Sequence, residues 1–479
     1  MSRTRVGVGT CLAVIFAALP ASLDPCLGLA DSPQVKPNMI VILADDLGYA
    51  DVGFQGCRDI PTPNLDRLAA EGVRCTNGYV SHPFCSPTRA GLMTARYQQR
   101  FGHENNPRYD PKDNVAGLPT SQHTVAEVLA AAGYVTGAVG KWHLGAAPQF
   151  HPNRRGFQEY FGLIGGGHDY FRCNPPGETN EYLIPLRRIP LQRNEPLQRN
   201  EVEECFEGYL TDVLSKEAVS FIERHQKERF FLYLAYNAPH TPLQATDERL
   251  SRVAHIEDPV RKTYAAMICA LDDGVGKVWE TLQNLGLAEN TVVFFLSDNG
   301  GPTEVTHSSN SPLRGAKGSV YEGGIRVPFV VTWKGVLASG TTYDLPIISL
   351  DVPATAAALA ESAFPDEPGI DGVNIMPHLL GEDSAPPHDT LFWRTGGGAS
   401  WAVRRGEWKL LRRGQSPAEL YRLDTDIGES RSLTAAHPEK VEELRALYES
   451  WNRDNIAPLF ESPRPAKKKP SPRPAAPAK

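Results

Sequence analysis

The chain has 479 residues, and its 49 lysines and arginines against 56 aspartates and glutamates give a formal net charge of −7. This length suits one large domain with a smaller one, and the ordinary apolar, charged and aromatic fractions are typical of a globular protein. The negative balance argues against general nucleic-acid binding. Positive charge that serves a function must therefore be placed locally.

The N-terminus has the layout of a secretory signal peptide. Arg3 and Arg5 precede an apolar run at 6–19, and small residues follow as far as Ala30. The run is too short to span a membrane, and no later stretch qualifies. We therefore expect a signal peptide over 1–30 and a secreted or periplasmic protein with no stable membrane insertion; an uncleaved anchor is the alternative.

Short continuous apolar runs at 38–43, 229–236 and 291–296 predict buried strands of a parallel sheet. Polar residues follow the runs in each case; they are Asp45, Asp46, His240, Asp298 and Asn299. Ligands gather beyond the carboxyl ends of parallel strands, so these side chains are placed for a common site. The alternative for the Asp45–Asp46 pair is a helix cap or turn.

A further short strand ends in a glycine-containing turn that presents Lys141 and His143, within G-Y-V-T-G-A-V-G-K-W-H-L-G at 133–145. Both side chains can donate hydrogen bonds to anionic oxygens, and the glycines allow close backbone approach. The sequence at 155–205 predicts a loop-rich region, and His168 within it is a candidate for substrate contact. Polar residues at 101–119 predict a solvated loop; the alternative is that His103, Glu104 and Asn105 line the mouth of a substrate site.

The segment around Cys85 reads C-S-P-T-R. A lone cysteine is usually a small buried hydrophobe. Here Pro87 rigidifies the chain after it and Arg89 adds a permanent cation suited to an oxyanion. Residues 91–94 read as the start of a helix whose N-terminus would face the same point.

This segment resembles the C-x-P-x-R signature of the type I sulfatases, which belong to the alkaline phosphatase superfamily. Four further segments resemble family motifs in the same order: A-D-D-L-G-Y at 44–49, G-Y-x-T-x-x-x-G-K-W-H at 133–143, A-P-H-x-P at 238–242, and G-x-K-G-x-x-Y-E-G-G-x-R-V-P at 315–328. One departure is Thr94-Ala95-Arg96, where the family usually has Thr-Gly-Arg. That glycine is structural, so the catalytic assignment is unaffected.

The resemblance implies an α/β fold with a large mixed, mostly parallel sheet flanked by helices, which we assign to a catalytic domain at 37–390. Short alternating segments beyond it predict a small antiparallel sheet and a helix, together a C-terminal α+β subdomain at 391–460. A Pro- and Lys-rich tail at 462–479 has no apolar face and predicts disorder.

The resemblance also implies the site. The implied metal ligands are Asp45, Asp46, Cys85, Asp298 and Asn299. The implied catalytic residues are Cys85, Arg89, Lys141, His143, His240 and Lys317. A ligand set dominated by hard oxygen atoms favours Ca²⁺, with Mg²⁺ as the alternative, over the Zn²⁺ that related phosphatases bind through histidines.

In the family a maturation enzyme converts the cysteine to formylglycine (3-oxoalanine), and the aldehyde hydrate attacks sulfur. By resemblance, Asp298 assists deprotonation, and His240 with Lys317 protonates the leaving alcohol. His143 then takes a proton from the second hydroxyl, which expels sulfate. A thiol or serine could not perform this last step.

The predicted function is hydrolysis of sulfate esters on carbohydrates or aryl groups. The stretches at 56–63 and 97–103 resemble exported bacterial sulfatases that act on sulfated polysaccharides, and also relatives of arylsulfatase A and N-acetylgalactosamine-6-sulfatase. Two alternatives are a phosphomonoesterase or phosphodiesterase of the same superfamily, and a non-catalytic binder of sulfated glycans if Cys85 stays a thiol. Cys173 and Cys205 could form a disulfide, which the sequence leaves open.

Overall fold

The computed structural model describes Gly7, Gly9 and residues 36–171, 181–184, 187–190, 196–366 and 369–461. Apart from the two glycines, the predicted signal peptide lies outside the described residues, as do the tail at 462–479 and Cys173. Cys205 is disulfide-bonded. No helix in the described part of the chain is long and apolar enough to cross a membrane.

The secondary structure of the described residues follows in chain order. The strands are β1 (Asn38–Ala44), β2 (Val73–Cys75), β3 (Gly78–Tyr79), β4 (Val135–Lys141), β5 (Glu159–Leu163), β6 (Glu181–Ile184), β7 (Arg187–Pro190), β8 (Leu197–Arg199), β9 (Val202–Glu204), β10 (Phe230–Ala235), β11 (Thr291–Ser297), β12 (Phe329–Thr332), β13 (Thr341–Tyr343), β14 (Ile347–Ile348), β15 (Thr390–Thr395), β16 (Ser400–Arg405), β17 (Trp408–Arg412) and β18 (Glu419–Arg422). The α-helices are α1 (Pro63–Ala70), α2 (Cys85–Thr94), α3 (Val125–Ala131), α4 (Leu210–Arg224), α5 (Asp247–Arg252), α6 (Pro259–Asn284), α7 (Thr303–Thr306), α8 (Glu322–Ile325), α9 (Asp351–Leu359), α10 (Met376–Leu379) and α11 (Pro438–Asn452).

A ten-stranded sheet, counted over the described residues, has the order β13-β2-β12-β11-β1-β10-β4-β5-β8-β9. Its centre, from β11 to β5, is parallel throughout, and antiparallel pairs join β12 to β11 and β8 to β5. This confirms the predicted mixed, mostly parallel sheet. Because β11, β1, β10 and β4 are adjacent, their carboxyl ends lie side by side at one edge.

Strand β1 is apolar at every position after its first residue, Asn38, and the fold shows why. Successive side chains of a strand point to opposite faces of the sheet. Met39 and Val41 enter the core that also contains apolar residues of α2, α3 and α9, while Ile40 and Ile42 enter the core built with α1, α4 and α6. Helices cover both faces, so no face of the central strands is left for polar residues.

The C-terminal residues form a four-stranded antiparallel sheet, β15-β16-β17-β18, which confirms the predicted small sheet followed by a helix. Its core joins Trp393 and Leu444 to residues that precede the subdomain, such as Tyr79. The indole of Trp393 donates a hydrogen bond to Val80 O at 2.7 Å. The boundary near residue 390 stays a prediction.

A buried group of charged residues lies where the two sheets meet. This group, here called the Glu322 cluster, consists of Glu322, Arg326, Arg404, Lys409 and Glu429. Lys409 Nζ lies 2.7 Å from Glu322 Oε1 and 2.9 Å from Glu429 Oε1. The cluster therefore ties α8, at the end of a predicted family motif, to β17 of the small sheet.

The prediction that a helix begins at residue 91 was wrong, because α2 begins six residues earlier, at Cys85. Phe84 is extended, and its carbonyl accepts from Thr88 N at 3.2 Å. Pro87 lies in the first turn, where a backbone N–H has no partner within the helix, so proline is tolerated. Every residue of α2 is buried, so no amphipathic pattern marks where it begins.

The prediction of a solvated loop at 101–119 was also wrong for its first residues. His103 and Glu104 are buried. Glu104 pairs with Arg394 of β15, and Asn105 donates to Phe460 O at 2.7 Å. Polar residues are buried here because partners distant in the sequence satisfy them.

Candidate active site

Cys85 is the first residue of α2 and is almost completely buried. Its Sγ lies 3.5 Å from Asp45 Oδ1 and 4.0 Å from Asp46 Oδ1, and it accepts a hydrogen bond from Lys317 Nζ at 3.2 Å. Burial, together with the charge of Asp298, raises the pKa of the Cys85 thiol far above its usual range. An unmodified thiol here would be a poor nucleophile, since the thiolate is the reactive form.

Three carboxylates converge on this cysteine from the ends of two adjacent strands. Asp45 and Asp46 follow β1, and Asp298 follows β11, where its backbone N–H donates to Ala44 O at 2.9 Å. Each of the three aspartates has a carboxylate oxygen that could bind a metal ion. These three oxygens and Cys85 Sγ all lie within 4.8 Å of one another. Asp46 adopts φ 68°, a left-handed conformation that aspartate tolerates better than most residues.

Asn299 supplies the test of whether these residues fit a metal ion. Its amide nitrogen donates to Asp46 Oδ1 at 2.7 Å and to Gly300 O at 3.0 Å. Its Oδ1 is buried and has no hydrogen-bond partner among the described residues. A buried amide oxygen without a donor next to three carboxylates fits an oxygen-coordinated cation.

Three basic side chains balance the three carboxylates. Arg89 donates from Nε and Nη2 to Asp298 Oδ2, at 3.1 and 2.8 Å, and from Nη1 to the Lys141 carbonyl at 2.8 Å. Lys141 Nζ pairs with Asp45 Oδ2, and Lys317 Nζ lies 2.6 Å from Asp46 Oδ1. Because each buried charge has an opposite partner, the cluster avoids the large penalty of isolated buried ions.

Two histidines complete the site, and both are neutral. His240 Nδ1 lies 2.6 Å from Thr241 O, so this nitrogen carries the proton and Nε2, 3.7 Å from Asp46 Oδ2, presents a lone pair. Burial lowers the pKa of His240 to about 3. Burial and then Lys141 lower the pKa of His143 well below its usual range. His143 Nδ1 is buried without a partner in the described part of the chain.

Two acids of the site, Asp46 and Asp298, have pKa values shifted in opposite directions. Burial alone would raise the pKa of Asp46, yet the positive charge of Lys317, which also hydrogen-bonds this carboxylate, brings it to about 2. Burial, followed by the charge of Asp45, raises the pKa of Asp298 to about 6. Such a separation is typical of sites in which one acid stays ionised and another exchanges protons.

Comparison with known proteins gives the family. The family model described as Sulfatase matches residues 37–362. This chain belongs to the sulfatase family. The sulfatase is 37% identical over 372 residues to N-acetylgalactosamine-6-sulfatase of Homo sapiens, a match that covers 74% of the chain and 67% of the relative. It is 35% identical over 449 residues to human arylsulfatase A, covering 89% and 84%.

Among solved structures, Ps i-CgsB in complex with k-i-k-neocarrahexaose is similar with a TM-score of 0.81 and 39% identity, covering 89% of this chain and 94% of that one. The family match and these relatives make the protein a sulfuric ester hydrolase. The predicted recognition and enzyme class are therefore confirmed.

The fold of the sulfatase brings every predicted site residue to the same edge of the central sheet. These residues are Asp45, Asp46, Cys85, Arg89, Lys141, His143, His240, Asp298, Asn299 and Lys317. His168 is buried, with Nδ1 2.7 Å from Asp169 O. The nearby Tyr170 hydroxyl donates to the carbonyls of Asn237 and His240, so this segment supports the loop that carries His240.

Two contacts at or beside the site were not predicted. Tyr233 lies in β10, with its hydroxyl 3.5 Å from Arg89 Nη1. His103 Nε2 lies 2.6 Å from Ser86 Oγ, immediately beside Cys85. A tyrosine inside an apolar strand carries no local signal of function, and the contact of His103 depends on folding of a loop that reads as exposed.

Proposed function

We propose that this sulfatase is an exported, formylglycine-dependent enzyme that removes sulfate from sulfated glycans and uses Ca²⁺. The observation that carries the proposal is the position of Cys85, whose buried Sγ faces Asp45, Asp46 and the ammonium of Lys317. A nucleophile placed between acidic metal ligands and a fixed cation suits attack on an anionic ester.

For the metal we assign the ligands Asp45, Asp46, Asp298, Asn299 and position 85. Oxygen donors with several carboxylates favour Ca²⁺, with Mg²⁺ as the nearest competitor. When bound, the ion would supply positive charge that attracts the sulfate ester and favours ionisation of a hydroxyl at position 85. The unpartnered Asn299 Oδ1 supports this assignment.

For the nucleophile we assign Cys85 after conversion to formylglycine by a maturation enzyme. In hydrated form that side chain would supply one hydroxyl as nucleophile and a second whose deprotonation expels sulfate, which neither thiol nor serine offers. The raised pKa of the Cys85 thiol supports the need for modification. Asp298 offers a carboxylate oxygen within 4.8 Å of Cys85 Sγ, so we assign it to accept a proton from position 85.

Arg89, Lys141 and Lys317 are assigned to binding the sulfate group. Arg89 and Lys141 are fully buried and held by carboxylates, so their positive charges are oriented before substrate arrives. Charges fixed in advance in a water-poor site stabilise a developing negative charge more than mobile ones do.

The two histidines are assigned to proton transfer. His240 Nε2 faces the site, and a bound anion would raise its pKa by favouring the protonated ring, so that it can protonate the leaving alcohol together with Lys317. His143, neutral and with Nδ1 unpartnered among the described residues, is suited to accept a proton when sulfate leaves.

The proposal of a glycan substrate rests on two relatives: N-acetylgalactosamine-6-sulfatase, whose name contains a sugar, and Ps i-CgsB, whose structure was solved in complex with a neocarrahexaose. We also propose the boundaries given by the sequence: a signal peptide at 1–30, a catalytic domain at 37–390, a subdomain at 391–460 and a tail at 462–479. The resulting protein would be secreted or periplasmic.

The test uses protein made in its own host. Trypsin releases the peptide from Cys75 to Arg89, and a hydrazine probe with mass spectrometry reports an aldehyde at position 85. We expect the aldehyde, together with sulfate release from sulfated oligosaccharides. A thiol at position 85, in a host that matures other sulfatases, would contradict the proposal.

A further inference from the structure

A cavity of about 790 Å³ lies beside Lys317. One wall is the segment 314–321, which carries Lys317 itself, and another is Phe84, the residue before Cys85. The small C-terminal sheet closes the cavity with Ser400 and Arg413. This volume is in the range that holds compact organic ligands, so it has room for a sugar unit.

The described residues that line this cavity include three cations, Arg314, Lys317 and Arg413, and one acid, Glu304. Lys317 points its ammonium towards Asp46 and Cys85. The cavity is therefore connected to the catalytic centre through a shared side chain, and an occupant would lie next to the sulfate that is being hydrolysed.

The two arginines are held in place but are not neutralised by close ion pairs. Their guanidinium groups lie over the ring of Tyr321, at 4.1 Å for Arg314 and 4.7 Å for Arg413. Glu419 lies 3.7 Å from each, and it already accepts hydrogen bonds from the hydroxyls of Tyr321 and Tyr421. The arginine side chains remain 41% and 46% exposed.

We propose that this cavity binds an anionic group, a sulfate ester or a carboxylate, on the sugar unit next to the one that loses its sulfate. The preferred substrate is then a polyanionic glycan rather than a singly sulfated one. Planar guanidinium groups recognise both kinds of oxyanion with paired hydrogen bonds, and stacking on Tyr321 orients them in advance. The inference rests on the proposed glycan substrate and refines it.

Arg413 is the residue to change, because Arg314 also donates to Glu429 O at 2.7 Å and to the Tyr421 hydroxyl, and its loss would disturb the fold. The matched control is Arg422. It belongs to the same sheet, is 49% exposed, lies 6.0 Å from the Trp408 ring centroid and pairs with Asp424, but does not line the cavity.

The experiment measures kcat/KM for Arg413→Ala, Arg413→Lys, Arg422→Ala and the unchanged enzyme. The three oligosaccharides share one sulfated sugar, and its neighbour carries a sulfate, a carboxylate or no charge. We expect the unchanged enzyme and Arg422→Ala to prefer a charged neighbour by about tenfold, the effect of one charged hydrogen bond. Arg413→Ala should lose that preference through KM, and Arg413→Lys should retain part of it.

Preference for the sulfated neighbour alone would identify sulfate as the recognised anion, and preference for the carboxylated one alone would identify a uronate. Equal rates on all three oligosaccharides, or an unchanged preference in Arg413→Ala, would overturn the inference while leaving the proposed function intact. If the proposed function itself fails, neither the unchanged enzyme nor any variant releases sulfate from the three compounds.

Discussion

Two buried groups of opposite charges lie in this sulfatase, the active site and the Glu322 cluster. In the Glu322 cluster the carboxylate oxygens face groups of the protein: Glu322 Oε2 accepts from the Tyr79 hydroxyl at 2.6 Å, and Glu429 Oε2 accepts from Glu322 N at 2.7 Å. Glu429 Oε1 makes no hydrogen bond among the described residues, but it lies 2.9 Å from the ammonium of Lys409. In the active site, Asn299 Oδ1 and His143 Nδ1 have no partner among the described residues.

The difference separates two uses of buried charge. A closed cluster gives geometric specificity, here the attachment of the small sheet to the large one. A cluster with buried polar atoms that face no protein partner, such as Asn299 Oδ1 and His143 Nδ1, keeps positions for groups that the protein does not supply. We therefore expect substitutions in the Glu322 cluster to change stability, and substitutions in the active site to change catalysis.

The largest expected effect is on catalysis. Cys85→Ala should lower sulfate release by roughly 10⁴-fold or more, because the nucleophile is lost, while thermal unfolding changes little. Sulfate release and calorimetric Tm measure the two effects. The control is Cys75→Ala, a buried cysteine of β2 in the same tryptic peptide, which should retain activity. Equal loss of activity in both variants would contradict the assignment of Cys85.

The Glu322 cluster should give the largest effect on stability. Lys409→Ala leaves two buried carboxylates without their ammonium partner, so the free energy of unfolding should fall by roughly 3–5 kcal/mol. Lys440→Ala, which breaks only the partly exposed pair with Glu443, should change it by less than about 0.5 kcal/mol. Urea denaturation measures both. If folded Lys409→Ala loses as much kcat as Cys85→Ala, the claim that the Glu322 cluster serves stability and not catalysis is contradicted.

Removal and return of the metal test whether the active site binds an ion. Calcium at about 100 times its Kd should raise the free energy of unfolding of chelator-treated protein by about 2.7 kcal/mol, because it binds only the folded state. Asn299→Ala should weaken the response, and Zn²⁺ should give less than Ca²⁺. Thermal unfolding with each added ion tests this; a larger shift with Zn²⁺ than with Ca²⁺ would count against the oxygen-ligand assignment.

The smallest effect expected is pH dependence in the Glu322 cluster. Burial raises the pKa of Glu429 from 4.5 to about 7, although Lys409 opposes the rise. The folded state therefore holds this proton more tightly than the unfolded state, and the resulting stability is complete below about pH 4.5 and lost as pH rises through 7. Glu429→Gln should remove this pH dependence, because glutamine does not titrate.

Urea denaturation between about pH 4 and 8 measures the slope for Glu429→Gln. Glu439→Gln, an exposed glutamate in α11, should follow the unchanged protein. The same slope in all three proteins would mean that Glu429 does not titrate in this range.

The sequence was informative wherever the signal was local. A continuous apolar run followed by acids marks β1 and Asp45–Asp46, since buried parallel strands tolerate no polar face and their ends collect ligands. The same reasoning placed His240 and Asp298. The shared edge of the sheet, which the order of β11, β1, β10 and β4 creates, then brought these residues together.

Features that depend on contacts between residues far apart in the sequence could not be predicted. Glu104 reads as a loop residue because its partner Arg394 is 290 positions away. Arg314 lies directly before the motif at 315–328, and its neighbour Arg413 directly follows β17, so no spacing could pair them. The start of α2 was misplaced because a helix buried on all sides has no apolar stripe to read.

The burial of α2 determines when Cys85 is accessible to another enzyme. Cys85 is 1% exposed, and every other residue of α2 is buried as well. A maturation enzyme can bind the peptide around Cys85 only if α2 separates from the core that it forms with α3 and α9. The proposed conversion of this cysteine to formylglycine therefore competes with folding, and a chain that folds first keeps its thiol.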